Sequence, residues 1–240
     1  MALDHALMAR ARRTGESVLR VYEWSAPVLS LGRNQRAIGV YDDAELARRA
    51  IGVVRRPTGG RALLHHREIT YSVTAPMAVD ESLGAAYARV NRMLLHALAS
   101  LGVAAAIARP RTRALSPSAI PCFAEPARGE IVVGERKLAG SAQWRDDGAL
   151  LQHGSIIVDD DQALLPLLMR MPTRPSPPPA TLREALGRAP GAREVADALF
   201  MSVRQLEDSA ATALASSESD ALDAHTFAEQ YRDPAWTWRR

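Results

Sequence analysis

Apolar positions along this 240-residue chain recur with two periods, one helical and one of strands. Residues 1–13 carry apolar side chains at helical spacing, and 81–101, ended by Gly102, is the longest helical pattern. Between them, 18–24 and 28–31 are short apolar runs split by Pro27, which predicts two strands. Asp42 and Asp43 predict the cap of a short helix over 44–50. Residues 51–56 read as a strand broken by Pro57 and Gly59-Gly60. Residues 62–65 and 69–74 resemble a strand pair, with Ile69, Tyr71 and Val73 alternating with polar neighbours. Residues 108–121 are proline-rich, polar and aperiodic, so a long loop is expected; such loops inside a domain are often functional. Three strands follow, at 130–133, 136–144 and 149–158. Five prolines in 172–179 predict an extended linker. Thr181 and Glu184 form a capping-box pattern, and helices follow over 195–206 and 222–230. The fold class expected is α+β: mixed, largely antiparallel sheets flanked by helices. The division expected is a main domain over 1–171, a linker over 172–180, and a helical C-terminal extension over 181–240 packing on that domain.

Composition narrows the class of protein. At 47% hydrophobic and 24% charged residues, the chain can bury a substantial core. No apolar run reaches the roughly 18–20 residues of a membrane span. The first helix has an internal acid and late arginines, the wrong order for a signal peptide. A single cysteine excludes a disulfide framework, so a reducing cytoplasm is the expected location. A net charge of +3 fits an acidic partner. With scattered arginines and no nucleic-acid-binding signature, nucleic acid is not expected as a partner, nor is a membrane.

Two rare residues draw attention to chemistry. Lys137 is the only lysine among 30 basic residues, and Cys122, the only cysteine, lies fifteen residues before it. An arginine-rich chain that keeps one lysine has a use for a compact ammonium. A thiol near a cation suggests a thiolate nucleophile. For a random pair of this kind, a buried inert cysteine and a surface lysine is the commoner outcome, so the flanking motifs must decide. Around 55–65, the diglycine Gly59-Gly60 presents backbone amides, and Arg55, Arg56 and Thr58 could hold a phosphate or a carbonyl. A Gly-Gly turn alone is more often only a turn. His65 and His66 point to opposite faces of a strand and cannot share a metal. With no metal-ligand motif elsewhere, no metal site is expected. On a strand, Lys137, Ala139 and Ser141 are expected to share one face, with Gly140 leaving room for a ligand or another backbone. His153 and Gly154 fall on the next strand, where a hydrogen-bonded core histidine is the plain alternative.

RRPTGGRALLHH, GERKLAGSAQ and LLQHGSI together resemble the lipoate–protein ligase A-like family of the biotin/lipoate ligase superfamily. The resemblance covers nearly the whole chain. Met1–Asp4 resembles the family's first-helix motif, and YRDPAW at 231–236 resembles its C-terminal close. The family usually has a strand before the first helix, so the resemblance implies a chain that starts late. Within the family, a cysteine in the Pro121-Cys122-Phe123 context together with the lysine of GERKLAG resembles the cysteine-dependent octanoyltransferases rather than the ATP-dependent ligases. The ligases also commonly carry an accessory C-terminal domain, for which the segment after the linker is short.

The resemblance implies that Cys122 carries an acyl thioester and that Lys137 lowers its pKa. Arg55, Arg56, Thr58, Gly59, Gly60, His65, Gly140, Ser141, Ala142, His153 and Gly154 are the substrate-binding candidates. The implied donor is octanoyl-acyl carrier protein. The implied acceptor is a lipoyl-domain protein, such as the glycine cleavage H protein or a 2-oxoacid dehydrogenase E2 subunit. No cofactor is implied. Three alternatives stay open: an ATP-dependent lipoate ligase, an amidotransferase between lipoyl domains, and a non-catalytic binder of carrier or lipoyl-domain proteins.

Overall fold

A computed structural model describes residues 1–78, 80–108, 123, 126, 129–171, 177–215 and 224–240. The alternating segment around Tyr71 becomes the nine-residue strand β5 (Glu68–Pro76). It lies between β1 (Val18–Tyr22) and β9 (Ala149–Ile157), and the sheet continues through β8 (Arg136–Asp146), β7 (Ile131–Val133) and β6 (Ala106–Ile107). Every neighbouring pair in this six-stranded sheet is antiparallel. A second, three-stranded sheet sets β2 (Val28–Leu31) between β3 (Gly52–Arg55), which is parallel to it, and β4 (Leu63–His65), which is antiparallel. A parallel pair needs a crossover. Here the crossover contains α2 (Asp43–Arg48), whose N-cap Asp42 accepts from the amides of Ala44 and Glu45.

One face of the large sheet is apolar. Ile69 and Tyr71 of β5, Ile156 of β9, and Leu138 and Ala139 of β8 pack against α3 (Leu83–Ser100) and α5 (Ala192–Leu206) through Leu94, Leu98 and Leu199. Each fully buried leucine contributes about 1.5–3 kcal/mol. Ala180 and Leu182 belong to the same cluster, so the segment after the prolines packs into the main core. It continues as α4 (Leu182–Leu186), where Thr181 Oγ1 accepts from the Glu184 amide. The Glu184 carboxylate pairs with Arg136 instead of closing the box.

On the opposite face, α1 (Ala2–Thr14) buries Met8 against Ala149 and Leu151. The small sheet has its own cluster, in which Leu29, Leu31 and Leu64 meet Leu165 and Leu168 of a 3-10 helix (Gln162–Leu168). No described helix is long and apolar enough to cross a membrane.

Three differences from the sequence reading have physical causes. β4 and β5 are not partners, although two residues separate them. Both edges of β5 are already taken by β1 and β9, so β4 pairs with β2 in the other sheet. The two-residue β6 is too short to leave a period in the sequence. The 3-10 helix contains Pro166, which hid it, and the Gln162 side chain bonds both backbone groups of Leu64. The loop expected at 108–121 lies outside the described residues except for Ala108, as do Cys122 and residues 172–176 of the linker.

Within the small sheet, the loop after β2 packs against the loop between β3 and β4 where Gly32 faces Gly60. A Cβ on Gly32 would lie 2.0 Å from the Gly60 carbonyl oxygen, a backbone atom with little room to retreat. Gly32→Ala is therefore expected to destabilise the fold by about 1–3 kcal/mol in urea unfolding. Gly59→Ala, whose Cβ would meet nothing within 4 Å, is expected to change it little.

Candidate active site

Strict alternation would put Lys137, Ala139 and Ser141 on one face of β8. The register corrects this. Ile131 pairs with Ala139 but Val132 pairs with Lys137, so β8 has one extra residue at Leu138. Leu138 and Ala139 both enter the apolar core, and Lys137 is thrown to the other face. It arrives beside Gly140. A Cβ on Gly140 would lie 2.6 Å from Lys137 Cε and 2.7 Å from Nζ. The room that glycine leaves is filled by this lysine. Lys137 is only 2% exposed. Its Nζ donates to Glu130 Oε1 at 2.6 Å and lies 4.6 Å from the centroid of the Phe123 ring. Both contacts suit a buried ammonium. Phe123 is the residue bonded to Cys122; Cys122 itself lies outside the described residues.

This face of the large sheet is polar and buried. Thr70, Ser155 and Gly140 stand in one row across β5, β9 and β8, and Ser72, His153 and Ala142 stand in the next. A cavity of about 180 Å³ lies over them. Of the residues singled out in the sequence, Arg56, Gly60, His65, Gly140, Ser141, Ala142, His153 and Gly154 line it. His153 is held at both ring nitrogens. Nε2 is 2.6 Å from Thr58 Oγ1, and Nδ1 lies 4.0 Å from Asp4 Oδ2, an ion-pair distance. Burial pushes the His153 imidazole below its ordinary pKa, although Asp4 pulls the other way. Asp4 is fully buried and accepts from Arg20 and Ser72. Burial would raise its carboxyl, but His153, the Met1 ammonium and Arg20 outweigh that and hold it well below the usual range. Gly154 has a different task. A Cβ there would meet Tyr71 at 2.7 Å and Ser141 Oγ at 2.8 Å, so glycine permits the 2.6 Å bond between those two hydroxyls.

Arg55 and Arg56 serve the loops around the cavity. Arg55 is fully buried and donates to the carbonyls of Gly32, Gln35 and Thr237. Burial, with Arg239 and Arg240 nearby, pulls its pKa down to about 10. Arg56 donates to the carbonyls of Ser30, Gly59 and Arg61, which folds the diglycine loop around its guanidinium. A Cβ on Gly60, at φ 96°, would lie 2.7 Å from that guanidinium. The two arginines thus direct these donors at backbone oxygens, and Arg55 does not line the cavity. His65 is buried and His66 exposed, as their adjacency requires. Among the described residues, no three His, Cys, Asp or Glu side chains gather as metal ligands.

The sequence reading passed over Asp4, Glu68 and Glu130. Asp4 lies in the first-helix motif, 149 positions from His153, and no local pattern ties the two. Glu130 opens a strand seven residues before Lys137, across a hairpin. Glu68 had a usable signal, a carboxylate three residues after a histidine across a tight bend.

Comparisons with known proteins agree with this architecture. Residues 1–204 match the family model described as the lipoyl protein ligase A/B catalytic domain. The octanoyltransferase LipM of Kyrpidia tusciae is 44% identical over 185 residues, covering 72% of this chain and 66% of that protein. The octanoyltransferase LipM of Symbiobacterium thermophilum is 37% identical over 260 residues, covering 100% of this chain and 93% of that protein. The chain thus spans just under two thirds of the first relative and nearly all of the second. Among solved structures, protein Ta0514 of T. acidophilum with bound lipoic acid superposes with a TM-score of 0.77 at 20% identity, covering 99% of this chain and 92% of that one. Lipoate-protein ligase A bound with ATP superposes with a TM-score of 0.74 at 21% identity, covering 99% and 92%. At such identities these structures speak for the fold.

Gly140→Ala is expected to leave unfolding within about 1 kcal/mol of wild type, because the clashing atoms are the end of a flexible side chain. It displaces the ammonium, so catalytic turnover is expected to fall by about tenfold or more. Comparing a urea melt with an activity assay separates the two effects. A second expectation concerns pH. The buried His153 is harder to protonate in the fold than in the unfolded chain, so the unfolded state takes the proton first as pH falls. The stability this group contributes is full above about pH 6.5 and is lost below it. His153→Asn is therefore expected to flatten the fall of melting temperature between pH 7 and pH 5, and an unchanged slope would contradict the assignment.

Proposed function

The chain belongs to the lipoyl protein ligase A/B catalytic-domain family, and we propose that within it this protein is a cysteine-dependent octanoyltransferase. It moves an octanoyl group from an acyl carrier protein to a lysine of a lipoyl-domain protein through a thioester on Cys122. The observation that carries the reading is the environment of Lys137. The chain's one ammonium-bearing side chain is buried on the polar face, and the ring of Phe123, the residue bonded to Cys122, packs 4.6 Å from it. The two relatives named octanoyltransferase, at 44% and 37% identity, support the same reaction.

The chemistry follows from the groups present. An unassisted thiol, with a pKa near 8.5, is only a few per cent thiolate at pH 7. A neighbouring ammonium favours the anion. The thiolate attacks the donor's thioester carbonyl, and the donor sulfur leaves as a thiolate; one thioester replaces another at little cost. The acceptor lysine then attacks, the Cys122 sulfur leaves and an amide forms, which is downhill. No nucleotide enters either step. Glu130 ties the ammonium in place. Burying an eight-carbon chain contributes about 5 kcal/mol, enough for pocket depth to select chain length.

Nucleotide-free protein is expected to octanoylate a lipoyl domain from octanoyl-acyl carrier protein alone, while free octanoate or lipoate with ATP and magnesium gives little product. The opposite pattern would make it a ligase. Cys122→Ser is expected to abolish both transfer and the octanoyl adduct seen by intact mass, with the fold retained. Lys137→Ala is expected to slow alkylation of Cys122 by iodoacetamide at pH 7; an unchanged alkylation profile would remove the lysine's electrostatic role.

A further inference from the structure

The cavity holds a second catalytic device that the thiol and the ammonium do not use. His65 is 4% exposed, lines the cavity and stacks on Trp24 with ring centroids 4.4 Å apart. Its hydrogen bonds have a fixed direction. The Trp24 indole N–H donates to Thr70 Oγ1 at 2.8 Å, which leaves the Thr70 hydroxyl to donate to Glu68 Oε1 at 2.6 Å. Glu68 Oε1 is therefore an acceptor, and it lies 2.7 Å from His65 Nδ1. The proton of the neutral ring then sits on Nδ1, and Nε2 carries the lone pair. That Nε2 is buried and has no hydrogen-bond partner among the described residues. Leaving a buried acceptor unpaired costs about 1–3 kcal/mol, so the atom invites a donor that arrives with a ligand.

Ser155 and Gly140 link the ring to the surroundings of the ammonium. Ser155 Oγ lies 3.5 Å from His65 Nδ1, and Ser155 pairs with Gly140, whose missing side chain is replaced by the end of Lys137. About one strand spacing, roughly 4.8 Å, separates Ser155 from Gly140 within their row. His65 and Glu130, the carboxylate that holds the Lys137 ammonium, both line the cavity.

We propose that His65 is the general base of the amide-forming half-reaction, with Glu68 fixing its tautomer. The inference rests on the octanoyltransferase reading. The acceptor lysine enters as a neutral amine, having lost one proton to solvent. Its nitrogen bonds to the thioester carbonyl carbon and gives its second proton to His65 Nε2. The carbon–sulfur bond breaks, the Cys122 thiolate leaves, and the imidazolium returns the proton to it. The balance is thioester plus amine giving amide plus thiol. The first half-reaction exchanges thioesters and has no amine to deprotonate, so it does not need this base.

Separating the half-reactions tests the role. Octanoyl-acyl carrier protein is mixed with the enzyme and the covalent adduct is followed by intact mass. The isolated adduct is then mixed with a lipoyl domain in a single turnover. In His65→Gln, adduct formation is expected to stay within about threefold of wild type. Discharge to the lipoyl domain is expected to slow by about 100-fold or more. Glu68→Gln keeps the shape of the pair and is expected to slow discharge by about tenfold, again with adduct formation retained. Discharge at the wild-type rate in His65→Gln, or equal loss of both half-reactions, overturns the proposal. If that variant does not fold, Glu68→Gln decides by the same comparison. If the wild-type enzyme forms no adduct at all, the octanoyltransferase reading fails first, a result distinct from slow discharge of an adduct that forms.

Discussion

The site depends on a steric exchange between two residues of one strand. Gly140 has no side chain, and the end of Lys137 takes the space a side chain would need. The exchange works only because β8 carries an extra residue at Leu138, which moves Lys137 to the polar face while Leu138 and Ala139 stay in the core. Without that slip the ammonium would point into an apolar cluster, where an isolated charge costs several kcal/mol. With it, the ammonium meets Glu130 on one side and the Phe123 ring on another. The remaining site residues are arranged around a cation fixed in this way.

The large sheet divides its work between its faces. Toward α3 and α5 it is apolar and supplies the burial that stabilises the fold. Toward the cavity it carries Thr70, Ser72, His153 and Ser155, all buried. Buried polar groups are tolerable only when bonded, and most of these are, through Asp4, Thr58 and Trp24. His65 Nε2 is an exception, and it borders the cavity. Arg55 and Arg56 act earlier in the hierarchy. By satisfying carbonyls of the loops around Gly32 and Gly60, they fix the loops of the small sheet, of which Arg56, Gly60 and Arg61 line the cavity.

Much of the fold was legible before any coordinates. The strands around Tyr71 and His153, the long helix ending at Gly102 and the caps at Asp42 and Thr181 all follow local rules. Those rules are alternation, helical spacing, and short polar side chains reaching amides two or three residues ahead. Gly140 and Lys137 were also marked, the first as a place with room and the second as a charge kept against the chain's bias. The partner assignments were not legible. Nothing near β4 says that its neighbour is β2 rather than β5, because the choice depends on which edges the rest of the sheet leaves open.

The sequence by itself determined most of the secondary elements, the family resemblance and the chemical types at stake: one thiol, one lysine ammonium and a few histidines. Tertiary structure alone decided what surrounds the ammonium and the histidines. It turned Lys137 to the polar face through a register slip that no periodicity records. It brought Asp4 beside His153 across 149 positions of sequence, and it gave Arg55 and Arg56 backbone carbonyls as partners. The physical reason is range. Caps and alternation are set by neighbours a few residues away, whereas pairing edges, buried charges and shared cavities are settled only when distant segments compete for the same space.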